Sequence, residues 1–344
     1  MHDRKGRNYS RGLLRQTSHR EEIKLTDALS GASVAILSHN RIDELKETFV
    51  TLCESANVHN LELIIVDNAS TDGSRELIQG CVAAFPTVKA FLSDVNTGVA
   101  AGRNLAWGMC TRDFILNIDD DTRIGIDSIR MIVESMIARP IAGVLFPQIL
   151  DLSSGRQFVD YDDTTPANFL GGCHVVRREA LTEVGPLDPE CNFGGEELDF
   201  SIRMRLSGWQ VVYDPSIQVV HNGLPRARDT AVWRQTQWVR NYSRVLFKYF
   251  PSRVANLFVL RVLISHVVSG SRRHGFKHVL KFARASSEGR AQGMSNRNLL
   301  PQNLVDFYRD TTRRPDLGNV PLSTKAVRRI RRRLKLADTF STGA

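Results

Sequence analysis

From Ser33 onward the chain repeats one figure: a short apolar run, a polar end, then a stretch with apolar residues at helical spacing. SVAIL (Ser33–Leu37), LELIIVD (Leu61–Asp67), VKAFLS (Val88–Ser93) and FILNI (Phe114–Ile118) predict four strands. Leu45, Phe49, Val50 and Leu52 predict a helix after the first strand; Leu77, Ile78 and Val82 predict another, capped by Ser70 or Thr71. Further helices are expected near Val99–Met109 and over DSIRMIVESMI, Asp127–Ile137. Apolar strands alternating with helices imply an α/β fold, with a Rossmann-like parallel sheet covered on both faces.

Beyond Ala138 the rhythm changes. IAGVLFPQIL (Ile141–Leu150) and RQFVDY (Arg156–Tyr161) read as strands joined by a DLSSG turn. GGCHVVRREALTEVG (Gly171–Gly185) reads as a strand led by glycines and a short helix. FGGEELDFSIRMRLSG (Phe193–Gly208) reads as a glycine turn opening a helix, and WQVVYDP and IQVVH as two more strands ending at His221. This half continues the parallel sheet as a mixed one and supplies the second wall of a cleft. The expected organisation is a basic extension over 1–30, a catalytic domain over 31–230, amphipathic helices over 231–291, and an irregular segment with a basic helix over 292–344.

Charge sharpens this picture at the ends. The net charge of +9 over 344 residues is concentrated there: Lys325–Lys335 holds seven basic residues and no acid. Val327, Ile330 and Leu334 share one face of that segment, which suits contact with an anionic surface such as lipid. Five cysteines without metal-ligand or paired spacing fit a reducing, cytoplasmic setting. No apolar h-region follows the basic N-terminus, so no signal peptide is expected. The apolar run from Val254 is short and interrupted by Arg261.

The strand ends carry the chemistry. Ligands of open parallel sheets bind beyond the carboxyl ends of the strands. Those ends read SHNR, DNASTD, SDVNTG and DDDT. Asp119 and Asp121 are hard oxygen donors suited to Mg²⁺ or Mn²⁺, whose charge would offset the repulsion among Asp119, Asp120 and Asp121. His221, at another strand end, is a further candidate ligand. Glu196 and Glu197 open a helix behind Gly194 and Gly195, and either could act as a general base. Arg103, in NTGVAAGRN, could form a bidentate contact with a diphosphate. That loop lacks the spacing of the Walker and dinucleotide fingerprints.

Together SVAILSHNR, LELIIVDNASTDGS, NTGVAAGRN, NIDDD, GGCHVVRREALTEVG and FGGEELDFSIRMRLSGWQVVYDP resemble the family 2 glycosyltransferases of the GT-A fold, over about residues 32–225. The bacterial branch containing rhamnosyltransferases is the nearest likeness. The resemblance implies that Ser38, Asn40, Arg41 and Asp67 hold the nucleoside, and that Asn96, Gly98 and Arg103 lie near ribose and diphosphate. It matches Asp119 and Asp121 to the family's DxD, with Asp120 grouped among the donor-binding residues. Glu196 and Glu197 match its acidic pair and His221 its metal-binding histidine; the usual base position is filled here by Glu197 rather than Asp. The implied reaction is an inverting, Mg²⁺- or Mn²⁺-assisted single displacement from a nucleotide-diphosphate sugar to a glycan, glycolipid or small-molecule hydroxyl. The expected location is the cytoplasm, with peripheral contact at the inner membrane face; no nucleic acid is expected and the oligomeric state stays open. Competing readings are a nucleotidyltransferase, for which SHNRID lacks the expected glycine-rich loop, and a non-catalytic nucleotide-sugar or glycan binder.

Overall fold

The structure, a computed structural model, describes residues 28–155, 157, 164–222, 228–274 and 277–310. Its first half is β1 (Ala32–Ser38), α1 (Ile42–Val58), β2 (Glu62–Asn68), α2 (Ser74–Ala84), β3 (Val88–Ser93), α3 (Gly98–Met109), β4 (Phe114–Asp119), the two-residue β5 (Thr122–Arg123) and α4 (Ile126–Ile137). Then follow β6 (Ala142–Asp151), β7 (Cys173–Arg177), α5 (Arg178–Val184), α6 (Glu196–Leu206) and β8 (Gln210–His221). Among the described residues, four helices follow: α7 (Arg228–Tyr249), α8 (Ser252–His274), α9 (Lys277–Ser295) and α10 (Gln302–Arg309).

One eight-stranded sheet runs in the order β3-β2-β1-β4-β7-β6-β8-β5. β1, β2, β3 and β4 pair in parallel, whereas β7 runs antiparallel to both β4 and β6. The order reverses between β1 and β4, the switch point where open α/β sheets leave a crevice. Both faces are buried, which is why β1 and β2 read as continuous apolar runs. Val34 and Ile36 pack with Phe49 of α1, Ile78 of α2 and Ile132 of α4, while Ala35 packs with Trp107 of α3 and Phe200 of α6. Helix α6 is buried on two sides: Phe200 and Met204 face the sheet, and Leu198 and Ile202 join a core built with α7 to α10.

The structure departs from the sequence reading in places. WQVVYDP and IQVVH form the single strand β8, whose parallel register with β6 shifts between Pro147 and Gln148; the irregularity absorbs the Pro215 break. The RQFVDY segment lies outside the described residues except Gln157, which bridges to Leu150. Within the stretch expected to be irregular, α10 forms because Val305 and Tyr308 lie four or fewer positions apart and are buried against α6 to α8. At the other end, Ala28 and Leu29 already belong to the core. The basic Lys325–Lys335 segment lies outside the described residues. Among the described residues, no helix is long and apolar enough to cross a membrane.

Candidate active site

A cavity of about 600 Å³ opens at the switch point. Ser38 ends β1 and Asp119 ends β4, and these neighbouring strands bring the first and fourth polar ends together. The acid triplet then splits. Ser38 Oγ donates to Asp120 Oδ2 at 2.8 Å, and Arg41 Nε lies 3.5 Å from Asp120 Oδ1, so Asp120 is tied to the β1 end. Asp119 and Asp121 instead approach His221. The short β5 pairs Thr122 with His221 of β8, and Asn222 N–H donates to the Asp121 carbonyl at 2.9 Å. A residue far along the chain is thereby held beside the acids.

Candidate ligand atoms from Asp119, Asp121 and His221 lie within 4.8 Å of one another. His221 Nε2 is 2.8 Å from Asp121 Oδ1 and 3.8 Å from Asp119 Oδ2. Two carboxylates and one imidazole are a donor set for Mn²⁺ or Mg²⁺, the imidazole being the softer element. The chain also carries its own counter-charge, which the sequence reading assigned to a cation alone: Arg103 Nη2 lies 2.9 Å from Asp119 and Arg41 Nη2 3.2 Å from Asp121. Burial opposes ionisation of Asp119, but Arg103 and His221 outweigh it and hold its carboxyl below the ordinary range. Burial, reinforced by Asp121 and only partly offset by Arg41, pushes Asp120 up to about 7. Burial would lower His221, yet the Asp119 and Asp121 carboxylates beside it carry it up to about 10.

Arg103 lines the cavity and is already engaged by the chain's own acids. It is buried on α3, with Nη1 3.4 Å from Glu196 Oε1 and Nη2 donating to the Gly171 carbonyl at 3.2 Å. It therefore bridges the acids at the end of β4 to the acids at the start of α6. Between those two groups runs the Gly171–Gly172 backbone. A Cβ at Gly171 would lie 2.6 Å from Glu197 Oε1, and one at Gly172 3.4 Å from His221 Cδ2. The Gly171 carbonyl also accepts from His174 Nδ1 (3.2 Å) and Asn117 Nδ2 (3.4 Å). Burial drives His174 down to about 3, so it stays neutral.

Burial raises both Glu196 and Glu197, and Glu196 goes further. The Arg103 guanidinium works against that rise in both. Both line the cavity; Glu196 is 2% exposed and Glu197 is the less buried of the pair. The mount for this helix start comes from α7. Trp238 packs on Gly194, and Asn241 Nδ2 donates to the Phe193 carbonyl at 3.0 Å. Asn192 accepts at its carbonyl from Val99 N–H (2.8 Å) and at Oδ1 from Arg240 (3.3 Å), joining α3, α6 and α7. Asp199 belongs to the same mount. Burial opposes its ionisation, but Arg203 and Lys248 keep it low; it also accepts from Tyr249 Oη at 3.0 Å.

Of the remaining expected residues, Asn96, Gly98 and Arg41 line the cavity. Asn96 Oδ1 accepts from Asn68 Nδ2 at 3.1 Å and Gly98 N–H at 2.9 Å. Asp67 is fully buried: Oδ2 accepts from Ser70 N–H (3.1 Å) and Arg75 Nε (2.9 Å), while Oδ1 has no hydrogen-bond partner among the described residues. Asn40 does not line the cavity. It is exposed, adopts φ 52°, and its Oδ1 accepts from Thr71 N–H, latching the β1 turn to the β2 turn. His39 faces the cavity in its stead, as do Asn68 and Asn192. The left-handed turn at Asn40 reverses the side-chain order, and no pattern in SHNR announces it. Asn68 could have been found from its place directly after Asp67 at the same strand end.

Residues 33–166 match the family model for glycosyl transferase family 2, and residues 114–282 match that for glycosyl transferase family group 2. The two matches overlap and together span residues 33–282, so the likeness to family 2 glycosyltransferases extends over most of the described residues. It is 25% identical over 224 residues to an N-acetylglucosaminyl-diphospho-decaprenol L-rhamnosyltransferase of Mycobacterium tuberculosis, covering 51% of this chain and 71% of that protein. It is 25% identical over 213 residues to the succinoglycan biosynthesis protein ExoM of Rhizobium meliloti, covering 56% and 67%. Solved structures share the fold: TarS residues 1–349 from S. aureus with UDP-GlcNAc (TM-score 0.55, 14% identity, 81% of this chain and 91% of that one). A mannosyltransferase from Pyrobaculum calidifontis with GDP-Man and Mn²⁺ is similar (TM-score 0.51, 14% identity, 77% and 86%). The fold is α/β of the GT-A type.

Proposed function

We propose that this chain is a family 2 glycosyltransferase that moves a sugar from a nucleotide-diphosphate donor to an acceptor hydroxyl by a single displacement with inversion. The observation that carries this reading is the pairing, in one cavity, of the Asp119–Asp121–His221 cluster with Glu196–Glu197 across the Gly171–Gly172 backbone.

Each residue then has a task set by its surroundings. Ser38, Asn68 and Asn96 offer polar partners at the nucleoside end, and Asp67, buried next to Asn68, braces that end through Ser70 and Arg75. Asp119, Asp121 and His221 would hold Mn²⁺ or Mg²⁺, which when bound neutralises charge growing on the departing diphosphate. Arg103 keeps Asp119 ionised and fixes the Gly171 carbonyl, so it positions the metal-facing carboxylate and the floor of the sugar subsite together. Glu197 takes the proton from the acceptor hydroxyl as that oxygen attacks the anomeric carbon. Glu196 is engaged by Arg103 Nη1 at 3.4 Å and is more buried than Glu197. The glycine floor matters because a side chain at Gly171 would occupy the space beside the base. The relatives' printed names support a glycan or lipid-linked glycan acceptor, and Lys325–Lys335 suits contact with an anionic membrane carrying it.

The test is release of nucleoside diphosphate from UDP-, GDP- and dTDP-sugars with Mn²⁺ or Mg²⁺, with and without EDTA. Turnover of at least one donor that stops with EDTA supports the proposal; turnover of none rejects it.

A further inference from the structure

The cavity has two chemically different ends. One is the polar edge of β1, β2 and β4. The other is aromatic and is built by Phe193 and by Trp233, Trp238 and Tyr242 of α7. Trp238 stacks on Tyr242 with ring centroids 4.4 Å apart and planes at 15°, and it presses on Gly194. That pair belongs to the mount of α6. Trp233 does not: it is 51% exposed, with its ring 6.0 Å from Phe193 at 51°. Arg234 covers Phe193, its guanidinium 4.6 Å from the ring centroid.

A single exposed apolar side chain needs no explanation on an ordinary surface. A half-exposed tryptophan lining a catalytic cavity, beside a second aromatic ring, leaves apolar area in water exactly where a ligand can cover it.

We infer that Trp233 and Phe193 form a shelf for a pyranose ring of the acceptor, so that the acceptor is a saccharide rather than a simple alcohol or a flexible polyol. This rests on the transferase reading. The shelf continues from the turn that carries Glu196 and Glu197, so a ring lying on it presents its hydroxyls beside the base. A pyranose has a face of axial C–H groups and an equatorial rim of hydroxyls. The C–H face buries against an indole, while the rim stays free for polar partners such as Arg234 and Asn192, both at this end of the cavity. An acyclic polyol has no such face, and a long alkyl chain would need a continuous apolar channel. Glu197, Asn192 and Arg234 interrupt the wall instead.

The experiment uses the full chain with methyl β-D-glucopyranoside as the probe and glycerol as the comparison, observed by saturation-transfer difference NMR. In this glycoside H1, H3 and H5 are axial on one face. The shelf predicts saturation strongest at those protons, reduced at least fivefold in Trp233→Ala, largely kept in Trp233→Phe, and absent for glycerol. Equal saturation in wild type and Trp233→Ala, equal saturation of glycerol, or none for the glycoside overturns it. Thermal stabilisation by UDP, GDP or dTDP with Mn²⁺ is read on the same samples. If no nucleotide stabilises the wild type, the transferase reading fails, while the glycoside signal decides the shelf by itself.

Discussion

Gly194 and Trp238 meet so closely that a Cβ at position 194 would lie 2.3 Å from Trp238 Cδ1. Gly194 also holds φ +73°, a conformation that L side chains rarely adopt. The residue two positions on is Glu196, and the helix bearing Trp238 is the first of the C-terminal four. Helix α7 thus packs directly on the glycine turn that precedes Glu196 and Glu197.

Gly194→Ala is therefore expected to act on chemistry more than on binding. Strain of about 1–2 kcal/mol from the left-handed backbone adds to the displaced indole. Turnover should fall about tenfold or more, while Mn²⁺-dependent nucleotide affinity changes less than twofold. Titration calorimetry beside a turnover assay separates the two; an unchanged turnover number would show that α7 does not set the base.

Gly289 and Gly293 seat α9 on α7. Added Cβ atoms there would lie 2.0 Å from the Arg240 carbonyl oxygen and 2.3 Å from that of Arg244, both backbone atoms that cannot swing aside. Gly289→Ala should destabilise the chain by about 1–3 kcal/mol through overpacking. Gly80, in the middle of α2, has nothing within 4 Å of its Cβ position. Gly80→Ala should have the opposite sign, stabilising by about 0.5–1 kcal/mol from helix propensity. Urea unfolding of the two variants checks the pair, and the same sign for both would contradict the packing account.

Glu62 links the starts of β1 and β2 to the end of α3: Ser33 and Thr111 donate to it, and Lys89 Nζ lies 3.0 Å away. Burial works against its charge, but those hydrogen bonds prevail and lower its pKa from 4.5 to about 2. A depressed carboxyl contributes stability that is complete above the unfolded value and lost as pH falls through the folded one. Glu62→Gln should thus cost stability at pH 7, by about 1–3 kcal/mol, since it weakens buried hydrogen bonds to a charge. The wild-type advantage should shrink between pH 4.5 and 2. Denaturation midpoints of both proteins across that range test it, and a difference independent of pH would refute the assignment.

Periodicity made the parallel sheet visible because β1, β2 and β4 are buried on both faces and each ends in a polar cluster. The same logic pointed to Asp119, Asp121 and His221, which the structure gathers although His221 arrives by way of the two-residue β5, too short for any pattern to reveal. Other features depend on contacts between distant segments and left no local trace. Asn40 turns away because of one left-handed residue, and His39 takes the cavity position. Arg103 is enclosed by Asp119, Glu196 and Gly171 from three elements. The amphipathic pattern of α7 shows an apolar face but not that Trp238 and Asn241 on it grip the turn before Glu196.

In the proposed reaction Asp121 at the end of β4 and Glu197 at the start of α6 have separable tasks, and paired substitutions distinguish them. Asp121→Asn and Glu197→Gln are compared for Mn²⁺-dependent nucleotide binding and for sugar transfer. Glu197→Gln should bind nucleotide like the wild type and lose about 10²–10⁴-fold in transfer, the range of a general base. Asp121→Asn should lose both. Full transfer by Glu197→Gln, or undiminished metal-dependent binding by Asp121→Asn, would contradict the account.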